Sequence, residues 1–227
     1  MTKGTKAIIF DLDGVIADSR EVHEIAWTSV LRETGRKPSE AEIRLIHEGR
    51  KRSEMVMRFF PQSSEEEQKG LGVRKDELYY ANVSHLRPIP GVLEWLRKLA
   101  GLAFPLALAT CAGRARTLHT LHQFGLDATF SVIVTGSDIV LGKPDPAVFL
   151  KAAELLGHSP NECLVIEDSI SGITAAKAAG IPCYLYSPGA CDQNLRELKP
   201  DHTINAFTSA EFEFLLSGLR IEEALHG

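Results

Sequence analysis

Ala7–Ser19 reads AIIFDLDGVIADS. Four apolar residues, Ala7 to Phe10, run without a polar break and then meet two acids, Asp11 and Asp13. A short run that is apolar on both faces reads as a strand buried on both sides, hence part of a largely parallel sheet. Residues i and i+2 of extended chain share a face, so Asp11 and Asp13 can point the same way. Gly14 then supplies a turn. Taken alone, the stretch is either a strand closing on an Asp-Gly turn or the floor of an active site.

Five further runs resemble AIIF. They are PLALAT (105–110), SVIVT (131–135), CLVIE (163–167), PCYLYS (182–187) and the weaker HTIN (202–205). Helical patterns separate them: GVLEWLRKLA, RARTLHTLHQFG, DPAVFLKAAELLG and SGITAAKAAG, the last three ending on Gly125, Gly157 and Gly180. Strand and helix in alternation imply a doubly wound, Rossmann-like α/β core with a parallel sheet. Between Ala17 and Pro88 no strand is expected. EVHEIAWTSVLRETG has an apolar helical face, and Ser39 with Glu42 forms a capping box. SEMVMRFFP and SSEEEQKGLGVRKDELYYANV also read as helices, and SSEEEQ reads as a solvated helix start. The expected organisation is a core of residues 1–16 and 89–227 interrupted by an all-helical cap, 17–88. The chain crosses between them near Ile16–Asp18 and Arg87–Pro90.

Composition narrows the class. The 227 residues are 44% hydrophobic and 24% charged, with 25 Lys and Arg against 30 Asp and Glu and a net charge of -5. Such a mildly acidic chain argues against general nucleic-acid binding, while a local basic pocket for a small anion stays open. Cys111, Cys163, Cys183 and Cys191 form no CxxC pair or zinc-like spacing and read as reduced thiols of a cytoplasmic protein. The opening MTKGTKAIIFDLDG has no signal-peptide run, and no segment reaches the roughly 20 apolar residues of a membrane span.

In a doubly wound sheet, ligands bind beyond the carboxyl ends of the strands. Asp11 and Asp13 follow the first strand and Thr110 the second. Lys143, in GKPDP, follows the third, and Glu167, Asp168 and Ser169 end the fourth. Each has an ordinary structural reading as a turn or cap. Together they crowd acids onto one rim, where two unit charges ~4 Å apart repel by roughly 4 kcal/mol at an effective dielectric of 20. Such a cluster calls for a cation, and an oxygen-only site suits Mg²⁺.

DLDGVIADS, Thr110, GKPDP and VIEDSISGITAAKAAG, in this order, resemble the four motifs of the haloacid dehalogenase superfamily. The resemblance spans essentially the whole chain. DGVIADSREVHEIAW is similar to the branch of β-phosphoglucomutases and small sugar-phosphate phosphatases. It implies Asp11 as nucleophile through an aspartyl-phosphate, and Asp13 as general acid and base. Thr110 and Lys143 then bind the transferring phosphoryl group. Mg²⁺ lies on Asp11, the main-chain carbonyl of Asp13 and Asp168, with Glu167 close by. Haloacid dehalogenases lack an acid at the Asp13 position because a halide leaves without a proton, so Asp13 points to phosphoryl transfer.

The cap should set the substrate. DSREVH carries His23 in the spacing of a histidine that stands near the general acid in this branch. HEGRKRSEM places Arg50, Lys51 and Arg52 beside Gly49. A solvated basic turn is one reading, and an arginine facing the pocket is the other. Gly49 and Arg52 are the residues the resemblance selects. After Thr110, Cys111, Ala112, Gly113 and Arg114 depart from the Ser/Asn-type phosphate pattern of the mutases, with Arg114 able to compensate. No cap lysine is assigned, although Lys75 lies nearby in sequence. The expectation is a Mg²⁺-dependent phosphatase of a small phosphorylated metabolite, with a sugar-phosphate mutase as alternative. A catalytically silent binding protein is the third reading. No nucleic acid or membrane partner is expected, and the chain is expected to be a monomer or weak homodimer.

Overall fold

The computed structural model describes residues 4–189 and 193–219. Its strands are β1 (Ala7–Phe10), β2 (Ala17–Asp18), β3 (Arg87–Pro88), β4 (Leu106–Ala109), β5 (Val132–Val134), β6 (Cys163–Glu167), β7 (Cys183–Tyr186) and β8 (His202–Ile204). Six of them form one sheet in the order β5-β4-β1-β6-β7-β8, every neighbouring pair parallel. The strand expected from AIIF is thus central, with Ile8 in register between Leu106 and Leu164.

Alternation along each strand feeds two separate cores. Ile8 and Phe10 of β1, with Leu106, Leu108, Leu164 and Ile166, face one side. There they meet Trp95 and Leu96 of α5 (Val92–Gly101), Leu121 of α6 (Arg114–Gln123) and Phe212 of α10 (Ser209–Gly218). Ala7, Ile9, Ala107, Ala109 and Val165 face the other side, against Phe149 of α7 (Ala147–Leu156) and Ile173 of α8 (Ile170–Ala178). Small residues on that second face let α7 and α8 lie close to the sheet. A short helix, α9 (Gln193–Glu197), precedes β8.

Four helices sit between β2 and β3 in the chain: α1 (Arg20–Glu33), α2 (Glu40–Ile46), α3 (Arg52–Phe59) and α4 (Glu65–Ala81). They bury their own cluster, built on Trp27, Leu31, Met55, Val56 and Phe59. The Trp27 and Phe59 rings meet edge to face at 5.2 Å. The capping box expected at Ser39 and Glu42 is present, and a second one, Ser64 with Glu67, starts α4. The acidic run that opens α4 therefore satisfies its first amides and faces its positive end.

The crossings into and out of this helical cap are themselves paired. Ala17 and Asp18 of β2 run antiparallel to Pro88 and Arg87 of β3. No strand was expected there, because two residues carry no alternation to read and their partners lie far apart in sequence. Cys111, Cys163 and Cys183 are buried free thiols, and Cys191 lies outside the described residues. Among the described residues no helix is long and apolar enough to cross a membrane.

Candidate active site

The parallel register brings the carboxyl ends of β1, β4 and β6 side by side, and Asp11, Thr110 and Asp168, which follow them, converge on one cavity. Asp11 is 6% exposed and Lys143 1% exposed. The Lys143 ammonium donates to Asp11 Oδ1 at 2.5 Å, to Glu167 Oε1 at 2.7 Å and to the Ala109 carbonyl at 3.3 Å. A buried ammonium needs three acceptors, and this one has them. Burial disfavours its charge, but the two carboxylates outweigh burial and hold Lys143 protonated above its ordinary range.

The other Glu167 oxygen accepts from the amides of Asp168 (2.7 Å) and Ser169 (2.8 Å) and from the Ser169 hydroxyl (3.0 Å). Sequence reasoning put Glu167 with the metal donors. In the fold its oxygens are occupied by Lys143 and by the start of α8, so it steadies both and has little left for a cation.

Asp168 differs. Its carboxylate accepts no hydrogen bond from any described residue. Burial, then the charges of Glu167 and Asp11, push it well above the usual carboxylate range. Burial likewise raises Asp11 to about 7, with Lys143 pulling down and Glu167 and Asp13 pushing up. Gly14, at φ +85°, lets the chain pass beside Asp168: a Cβ there would lie 1.9 Å from Asp168 Oδ2. A partly exposed carboxylate with no protein donor, beside a second, raised one, fits a small hard cation. Among the described residues no three His, Cys, Asp or Glu side chains converge as a metal cluster. Two carboxylates and a main-chain oxygen are the fewer protein donors that Mg²⁺ commonly takes, the rest being water and substrate phosphate.

Thr110 is buried, and its hydroxyl accepts from the Ala112 amide at 3.1 Å, which leaves its own hydrogen to donate. Cys111 Sγ accepts from the Lys143 amide at 3.3 Å. Burial raises its thiol to about 11, so it stays protonated and inert. Arg114 borders the cavity at its open edge. It is 55% exposed and lies 3.8 Å from Asp138.

The inward arginine is Arg116, which sequence reasoning passed over. It grips both Asp13 oxygens, at 2.9 and 2.7 Å, and reaches His23 Nε2 (3.3 Å) and the Tyr79 hydroxyl (3.4 Å). Two residues along a helix are about 200° apart, so Arg114 and Arg116 face opposite ways. Arg116 is in phase with the buried stripe Thr117, Thr120 and Leu121. That phase was the available signal: a charge placed where only a buried partner could justify it. Burial works against ionised Asp13, but Arg116 and then His23 outweigh it and hold Asp13 well below its ordinary value.

The helical cap closes the other wall. His23 on α1 lies 3.4 Å from Asp13, where the spacing DSREVH had it. Burial, with Lys75 nearby, lowers His23 to about 3 and keeps it neutral. Gly49, at φ +69°, passes beside Ser169, and Arg52 is ion-paired with Asp76. Lys75, which sequence left unassigned, is buried with its ammonium 4.8 Å from the Tyr79 ring and 3.7 Å from Asp76. Burial, then Arg116, lowers it to about 7. Rim and cap enclose a cavity of about 1110 Å³ lined by Asp11, Asp13, Thr110, Asp168, His23, Arg52 and Lys75 among others.

Residues 8–186 match the family model of haloacid dehalogenase-like hydrolases. The chain belongs to that family. It is 33% identical over 185 residues to a β-phosphoglucomutase of Bacillus subtilis, covering 78% of this chain and 80% of the relative. It is 32% identical over 187 residues to hexitol phosphatase A of Escherichia coli, covering 82% and 83%. The structure of a β-phosphoglucomutase from Clostridium difficile superposes with a TM-score of 0.83 at 24% identity, covering 94% and 96%, a likeness of fold. This haloacid dehalogenase-like hydrolase is therefore an enzyme of phosphate-ester chemistry.

Proposed function

We propose that the chain is a Mg²⁺-dependent phosphatase of a small phosphorylated metabolite, a sugar or polyol phosphate, acting through an aspartyl-phosphate on Asp11. The reading rests on one observation above all: Asp11, Lys143, Thr110 and Asp168 come from different strand ends to one rim, with Asp13 beside them. Asp11 Oδ2, the oxygen not held by Lys143, attacks phosphorus and expels the alkoxide. Lys143 and the Thr110 hydroxyl stabilise charge on the transferring group. Asp13 protonates the leaving oxygen and then takes a proton from the water that hydrolyses the acyl phosphate. In the free enzyme Arg116 holds Asp13 ionised, the form the second step uses. The first step requires that contact to loosen as substrate fills the cavity. Mg²⁺ on Asp11, Asp168 and the Asp13 carbonyl would offset repulsion between nucleophile and phosphate.

Residues 17–88 act as the cap in this proposal, and 1–16 with 89–227 as the catalytic core. His23, Gly49, Arg52 and Arg114 line the substrate side with Thr110, Cys111, Ala112 and Lys143. The enzyme is read as cytoplasmic, monomeric or weakly dimeric. The β-phosphoglucomutase relative supports a second reading, a sugar-phosphate mutase. A screen of phosphorylated metabolites for phosphate release, run beside a coupled assay for glucose 6-phosphate from β-glucose 1-phosphate, separates them. Phosphate release is expected. Isomer formation without it would reverse the ranking. Asp11→Asn is expected to remain folded and lose turnover, and a normal rate in that variant removes the nucleophile.

A further inference from the structure

The basic turn Arg50–Arg52 divides its labour. Arg50 pairs with Glu48 at 2.8 Å and Arg52 with Asp76, both within the cap. Lys51 leaves the cap altogether. Its ammonium donates to the carbonyls of Ile139 (2.7 Å) and Val140 (3.0 Å) in the core. Three residues on, Glu54 Oε1 accepts the Gly142 amide at 2.8 Å. A cation thus takes two carbonyls and an anion takes an amide of one short loop, each group meeting the pole it complements. That loop runs directly into Lys143. The fit is close: a Cβ at Gly142 would lie 2.5 Å from Lys51 Cγ and 3.0 Å from Glu54 Oε1. Nearby, the Ser171 hydroxyl donates to the Glu48 carbonyl, seating the same cap segment on α8.

We propose that Lys51 and Glu54 are positioning residues of the catalytic centre: from the seated cap they clamp loop 139–142 and so set Lys143 against Asp11 and Glu167. Neither residue touches the reacting atoms. The inference rests on the proposed role of Lys143. It makes cap seating a condition for full activity, because the backbone just before the catalytic lysine is gripped by the cap while its side chain is gripped by the core. Small displacements of such a group cost rate steeply, up to about 100-fold for 1 Å.

The test joins hydrogen exchange with kinetics on the full chain, using Mg²⁺ and p-nitrophenyl phosphate as probe. In Lys51→Ala/Glu54→Ala, amides of segment 139–143 are expected to exchange at least about tenfold faster, since Gly142 loses its acceptor. The kcat is expected to fall about tenfold or more with KM little changed. Gly142→Ala should reproduce both effects, and combining all three substitutions should add nothing further, the non-additivity of a shared contact. Unchanged exchange overturns the clamp, whatever the activity. Faster exchange with unchanged kcat, or losses that multiply, overturns the positioning role. Should Gly142→Ala fail to fold, the partly buried Lys51 and Glu54 carry the test alone. Lys143→Met separates the layers: if it is as active as wild type, the role of Lys143 fails, while the exchange result still decides the clamp.

Discussion

Arg116 donates two hydrogen bonds to Asp13, and that contact fixes both the rotamer and the ionisation of the proposed acid and base. Arg116→Leu would leave Asp13 facing only neutral His23. Steady-state kinetics are expected to show kcat reduced by roughly 10²-fold, the usual worth of a positioned acid and base, and a wild-type kcat would dismiss the contact as incidental. Lys75 poses the opposite case, a charge that burial opposes. Unfolded, it keeps its proton to about 10.5, and folded only to about 7. Between those values the unfolded chain binds the extra proton, so this group makes stability rise with pH across that window. Below pH 7 the cost of the buried ammonium is present in full. Lys75→Met should therefore melt higher than wild type at pH 6, with the advantage shrinking toward pH 10. Paired thermal melts check this, and an advantage that grows with pH refutes it.

Among the elements, those with a strong local signal were readable and those made by distant partners were not. Four of the sheet strands, β1, β4, β6 and β7, are buried on both faces, which declares a doubly covered sheet. The boxes at Ser39 and Ser64 announce helix starts through local hydrogen bonds. Ser64→Ala should cost about 1 kcal/mol in urea unfolding, with activity retained because the start of α4 is far from the rim; a silent substitution would mean that Glu67 caps without it. By contrast β2 and β3 exist only because Ala17 meets Pro88 and Asp18 meets Arg87. No helix was expected over α10; Thr208 caps its start by accepting the Glu211 amide, and its place on the sheet comes from Phe212 and Leu215 reaching the core.

For the molecule as a whole, the rim of the cavity gathers acids, and Asp168 is the one of them with no ion-pair partner among the described residues. Chelation is expected to stop turnover, with Mg²⁺ restoring it. Mg²⁺ should also raise the thermal midpoint of the free enzyme, because it binds the folded acid pair and not the dispersed one; a midpoint that Mg²⁺ leaves unmoved would count against Asp11 and Asp168 as its donors. AIIFDLDGVIADS and the motifs that follow were enough to determine the fold class and the rim that carries Asp11, Asp13, Thr110, Lys143 and Asp168, and their resemblance to a known family pointed to the kind of chemistry. Strand periodicity and the rule that ligands bind at strand ends are local in their logic. Which arginine meets Asp13, what Glu167 is for, where Lys75 lies and what Lys51 holds were decided only by tertiary structure. Each depends on the groups that packing brings to a charged side chain, and a charge in sequence does not say which partner that will be.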